Sequence, residues 1–252
     1  MTSRGTGPGV RRVLAAAGAA AVTAIATTSC AGGPPTVAPS GVDGLEIPTP
    51  SADPRDFVDH VDNRWFPLEP GTVWTYRRTG EGDARTEVVT VTDRTRVVQG
   101  VSTTVVRDVV TGADGKVVST SSAWYAQDVD GNVWKLGESA SGRRGSGSGS
   151  WEAGVDGAEA GLVMAARPRV GDGYAQERAP GVAEDRSEVL SVNEQRTVPL
   201  GEYDDLVQTE DSSLLDPGLV ERRYYAPGVG LVYVETVAGG TGSTELVAQT
   251  HD

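Results

Sequence analysis

The sequence predicts an all-β fold: a curved antiparallel sheet or half-barrel with little helix, built from two pseudo-repeated β units. Three observations predict it. Apolar and polar residues alternate over short stretches such as "EVVTV" (87–91) and "EVLSV" (188–192), the period of a half-buried strand. Turn dipeptides such as Asp114-Gly115 and Asp130-Gly131 punctuate those stretches and supply the positive φ of tight hairpins. Finally, one aromatic, turn, aromatic phrase is written twice, as "WYAQDVDGNVW" (124–134) and "YYAPGVGLVY" (224–233).

The elements follow in chain order. Residues 1–29 hold Arg4, Arg11 and Arg12 but no acid, then an apolar run over 13–26, which is the pattern of a secretory signal peptide. The run is too short for a stable membrane span. It ends in "TTSC", whose Cys30 is the only cysteine of the chain. With one cysteine there is no disulfide framework and no thiol metal site. "VRRVLA" shares its arginine pair with twin-arginine signals, although two arginines are also an ordinary signal-peptide start.

Residues 30–55 are rich in Pro, Gly, Ser and Thr without hydrophobic period. They are expected to form a disordered tether. The folded part is expected over 56–252 as one β domain, and its first segment, "FVDHVDNRWFPLEPG", as a short helical turn or loop packing an edge.

The repeats are placed at about 70–138 and 170–237. "EVVTV" against "EVLSV", "VVQG" (97–100) against "VPLG" (198–201), and Val105-Val106 against Leu206-Val207 share an offset of 101 residues, while "PGTVW" (70–74) against "VGDGY" (170–174) and "WYA" against "YYA" share one of 100. The alignment at 101 puts Val89 and Val91 on the same face as Leu190 and Val192. Strands are expected near 73–78, 86–97, 101–110, 116–127 and 132–136, then near 173–178, 186–198, 202–210, 219–226 and 230–237, with a last one at 243–249. Between the copies, 139–169 combines a low-complexity linker, "SASGRRGSGSGS", with an unrepeated segment, "WEAGVDGAEAGLVMAARP". A segment that breaks the repeat is the natural place for a plug over the core or a functional element.

The formal charge is −13, from 22 Lys and Arg against 35 Asp and Glu. The leader holds three of the cations and none of the acids, so its removal leaves −16. Such an acidic chain argues against nucleic acid as a partner. The two histidines, His60 before the first expected strand and His251 one residue from the end, do not make a triad or zinc site. "GSGSG" (145–149) has the letters of a nucleophile elbow inside a low-complexity loop, without the strand-to-helix setting that motif needs. "DVDGN" (128–132) has oxygen ligands at alternate positions as a calcium loop does, but its counterpart "PGVGL" keeps only the turn. Glu152, Asp156 and Glu159, with Asp128 and Asp130, are the acids a carboxylate-dependent hydrolase would use. No cofactor, metal or catalytic residue is expected.

Trp124, Trp134, Trp151 and Tyr225 are the residues expected to line any ligand pocket. With only two Phe in the chain, Trp and Tyr must also supply the large core side chains.

"TTSC" resembles the lipobox of bacterial lipoproteins, which implies diacylation of Cys30 by palmitate-type chains and anchoring on the extracytoplasmic face of the cell membrane. Thr27 stands where that motif usually has an aliphatic residue. "DNRWFPLEPGTVWTY", "WYAQDVDGNVW", "SWEAGVDGAEAGLVM" and "YYAPGVGLVY" resemble a widespread group of uncharacterised bacterial exported proteins and lipoproteins. The architecture is loosely similar to half-barrel lipoprotein carriers of the LolA and LppX type. That group carries no established activity to transfer, and the expectation for this chain is a lipid-anchored, monomeric envelope protein that binds a ligand or partner without catalysis. Alternatives are a carrier holding an acyl chain or other apolar ligand, secretion without an anchor, and the hydrolase.

Overall fold

The structure is a computed structural model that describes residues 53–80, 84–142 and 149–251. The leader, Cys30, nearly all of the tether and residues 143–148 of the linker lie outside the described residues. No α-helix occurs among the described residues, and no helix there is long and apolar enough to cross a membrane.

Fourteen strands form one antiparallel sheet. β1 (Phe57–Val58) follows a 3-10 turn at Pro54–Asp56, and β2 (Thr72–Gly80), β3 (Arg85–Val98), β4 (Val101–Thr111), β5 (Val117–Asp128) and β6 (Val133–Gly142) form a meander. Then come β7 (Trp151–Glu152), β8 (Gly161–Met164), β9 (Gly173–Ala175), β10 (Asp185–Val198), β11 (Gly201–Ser213), β12 (Val220–Ala226), β13 (Gly230–Ala238) and β14 (Gly242–His251). The order across the sheet is β7-β6-β5-β4-β3-β2-β14-β13-β12-β11-β10-β9, with β1 pairing β5 and β8 pairing β6. The last strand therefore sits between the two halves, joined to β2 from Gly242↔Gly80 to His251↔Thr72 and to β13 at Tyr233↔Glu245.

Alternation explains the strands and their inward faces. In β2, Thr72, Trp74 and Tyr76 are buried while Val73 and Thr75 are half-buried. Tyr224, Leu136, Leu162, Met164, Leu206 and Leu246 are the largest fully buried side chains, and they belong to one core cluster reaching from β2 to β14.

Three expectations need correction. First, Phe57 and Val58, at the start of the segment expected to be a helical turn or loop, form a strand that pairs with Asp128 and Gln127, and the rest of that segment to Gly71 is loop and turn. Second, Ser139–Gly142 of the expected linker continue β6 as the partners of Ser122–Ser119. Third, the stretches aligned at an offset of 101 do not keep that odd offset. The hairpins close at Val98↔Val101 and Val198↔Gly201, an offset of 100. The Gly71 N–H donates to Val91 O as the Gly171 N–H donates to Val189 O, so the donors are 100 residues apart and the acceptors 98. An odd offset swaps the two faces of a strand. Val189 is accordingly fully buried, as Val91 is, whereas Val192, aligned with Val91 at 101, is 37% exposed. The slip comes from irregular pairing: β10 shifts register against β11 three times, β3 against β4 once.

The unrepeated segment brings the two sheet edges together. β7 and β8 both add to β6, at Glu138↔Trp151 and Lys135↔Gly161. The Glu159 N–H then donates to Arg178 O (2.9 Å), beyond β9. Gly161 permits this approach, because a Cβ there would lie 2.1 Å from Gln176 O.

Candidate functional site

Strands β2 to β6, β8, β10 and β12 to β14 each send side chains to one cavity of about 370 Å³, so it lies in the concavity of the sheet. Its apolar wall includes Phe66, Leu68, Trp74, Val89, Val106, Ala123, Leu231 and Val234. Phe66 is set by the loop before β2. There the Asn63 Oδ1 accepts from the Trp65 and Phe66 N–H groups, while its Nδ2 donates to Gly131 O (2.9 Å) and Ala165 O (3.3 Å). The Phe66 ring consequently packs 5.4 Å from Tyr125 and 6.4 Å from Tyr225, centroid to centroid. Trp74 and Tyr76 are fixed by their polar tips, Nε1 donating to Val229 O and Oη to Leu231 O, both at 3.0 Å.

Charged side chains also line it. Lys135 Nζ donates to Glu138 Oε2 (2.6 Å) and to Glu177 Oε1, all three side chains being about nine-tenths buried. Burial opposes the charge on Lys135, but Glu177, Tyr125 and Glu138 outweigh it and hold the ammonium above the ordinary lysine pKa. Burial pushes the Glu177 carboxyl above its usual value, against the pull of Lys135. Farther round the sheet, Arg223 Nε lies 3.0 Å from Asp211 Oδ2 and its Nη2 lies 3.1 Å from Glu221 Oε2. Asp211 Oδ1 also accepts from Ser187 Oγ (2.7 Å) and Thr209 Oγ1 (2.8 Å). Burial works against the Arg223 charge, and Asp211 and Glu221 more than restore it. Arg78 pairs with Glu87 at 3.3 Å. Paired and hydrogen-bonded in this way, buried charges persist instead of neutralising.

Of the residues expected to line a pocket, Tyr225 does so. Trp124, Trp134 and Trp151 are buried outside the lining. Trp124 and Trp151 meet at Gly137, where a Cβ would lie 2.5 Å from the Trp124 ring and 2.6 Å from Trp151 O. Arg96 stacks 4.1 Å over Trp124 and pairs with Glu152. Trp134 stands apart, its Nε1 donating to Asp128 Oδ2 (2.8 Å).

The acids singled out from the sequence do not converge. Glu159 pairs with Arg178 at 2.8 Å on the surface, and Asp156 occupies an exposed turn at φ 50°. The Asp128 carboxylate accepts from the Asp130 and Asn132 N–H groups and from Asn132 Nδ2, which makes it the organiser of the β5–β6 turn. His60 is exposed beside Asp59, and His251 lies 3.3 Å from Thr72 Oγ1. Among the described residues no group of three or more His, Cys, Asp or Glu is placed to hold a metal ion.

Sequence reasoning passed over Lys135, Glu138, Glu177, Asp211, Glu221 and Arg223. Lys135 carried a signal, since it interrupts the apolar run "VWKLG". Its partnership with Glu138 did not: residues three apart in a regular strand face opposite ways. Here Ala123↔Glu138 and Trp124↔Gly137 give way to Tyr125↔Lys135, so Leu136 is an extra residue that turns Lys135 and Glu138 to the same side.

No family model matches the chain, and no curated protein matches it. Among solved structures, it is similar to a protein of Bacteroides fragilis named as exported with a YmcC-like fold, at 14% identity and a TM-score of 0.47, over 75% of this chain and 99% of that one. It is also similar to a protein of Parabacteroides distasonis named as a lipoprotein, at 14% identity and a TM-score of 0.44, over 77% of this chain and all of that one.

Proposed function

We propose that this chain is an exported envelope protein, anchored through a lipid on Cys30, that binds a small ligand non-catalytically in the concavity of its sheet. The observation that carries the binding reading is the cavity of about 370 Å³ with buried charges in its wall. A core evolved only for stability fills such space with apolar side chains and avoids ionised groups. Small-molecule sites have this size and this mixture of apolar wall and fixed polar groups. An acyl chain fits less well than a polar ligand. Among the described residues the wall carries six carboxylates and three cationic side chains, none of which a hydrocarbon can solvate.

The export and anchoring reading rests on the leader and "TTSC". Two measurements test the whole. Cys30→Ala should shift the protein from the membrane to the soluble fraction, and persistence in the membrane would refute the anchor. Solvent extraction of protein purified from its own envelope should yield a small molecule in near-stoichiometric amount. An extract no different from that of an unrelated envelope protein would refute the ligand.

A further inference from the structure

We infer that the cavity selects a small organic cation with an apolar body, an assignment that rests on reading the cavity as a ligand site. The β10–β12 side of the wall carries the argument. Ser187 on β10 is opposite Asp211 on β11, and Asp211 is opposite Glu221 on β12. Asp185 lies two residues from Ser187 on the same face, so three neighbouring strands present three carboxylates on one side, of which Asp185 and Glu221 line the cavity and Asp211 is buried next to them in the sheet. Arg223 is the cation placed among them, and it is spent: Nε faces Asp211 and Nη2 faces Glu221. This part of the wall therefore keeps a negative surplus, and low-dielectric surroundings concentrate its field in the space it borders.

A positive ligand group relieves that surplus, whereas an anion would meet it without a free guanidinium to clamp it. The same lining carries apolar and aromatic surface, Phe66 and Trp74 among it, suited to a hydrocarbon body and to the face of a cation. A bare metal ion is a poor match for a space of about 370 Å³.

The test is calorimetric titration of the full chain, with Cys30→Ser so that no detergent is needed, using three probes of equal chain length: octylammonium, octyl sulfate and octanol. Octylammonium should bind at least about tenfold more tightly than octyl sulfate, and Glu221→Gln should weaken it several-fold while leaving octanol unchanged. Glu221 is suited to this because its side chain is 27% exposed, so the substitution leaves the core intact, which circular dichroism checks. Octyl sulfate binding as well as octylammonium, or indifference of octylammonium to Glu221→Gln, would overturn the cation assignment while leaving the ligand site standing. Failure of all three probes would overturn the ligand site itself.

Discussion

Lys135 is a single residue on which two acids depend. Its ammonium sits between Glu138 and Glu177 with all three side chains withdrawn from water. Removing one partner of a buried ion pair leaves uncompensated charge and costs about 3–5 kcal/mol, while replacing both partners by neutral groups costs far less. Lys135→Met should therefore lower unfolding stability by about that amount in urea, and Lys135→Met with both Glu138→Gln and Glu177→Gln should recover more than half of it. Equal losses in the single and triple variants would show that the three charges are not coupled. The tyrosines give a second residue-scale expectation. Burial raises the pKa of Tyr76, Tyr125, Tyr174 and Tyr225 above that of free phenol. Below about pH 10 both folded and unfolded chains keep these protons, so they do not alter stability. Above it the unfolded chain releases protons that the folded chain retains, and stability falls as pH rises. Phenolate absorbance at 295 nm and loss of circular dichroism should then rise together in one step. Phenolate forming fully near pH 10 in a still-folded protein would contradict the burial of these rings.

Strand positions were legible in the sequence because alternation and Asp-Gly turns are local signals. β3, β4 and β10 to β13 begin and end within a few residues of where those signals put them. Registers were not legible, because a bulge is one extra residue with no compositional mark. The shifts in β10 and the extra Leu136 in β6 decide which side chains face the cavity, and so the charged wall stayed hidden while its strands did not. The unrepeated segment shows the same limit. Its singularity was plain, but its use, to bring β6 toward the chain beyond β9, depends on a close backbone approach at Gly161. Gly161→Ala should force Gln176 away and cost about 1–3 kcal/mol, with faster amide exchange at Glu159, whose N–H spans the gap. Unchanged melting and exchange would mean that the edges do not meet there.

At the scale of the molecule, one curved sheet gathers side chains from ten strands around a common space. The C-terminal strand holds the two halves side by side between β2 and β13, and β8 lies against β9. Charges are kept in that space by pairing, and the apolar wall is kept open by small side chains such as Ala123. The central claim is that a ligand occupies it. The most direct measurement is the non-denaturing mass spectrum of envelope-purified protein beside that of Ala123→Trp, whose indole projects into the cavity. The account predicts an added mass on the native protein that disappears on denaturation and is missing from a folded Ala123→Trp. The same mass retained by the variant, or a bare mass for the native protein, would contradict it.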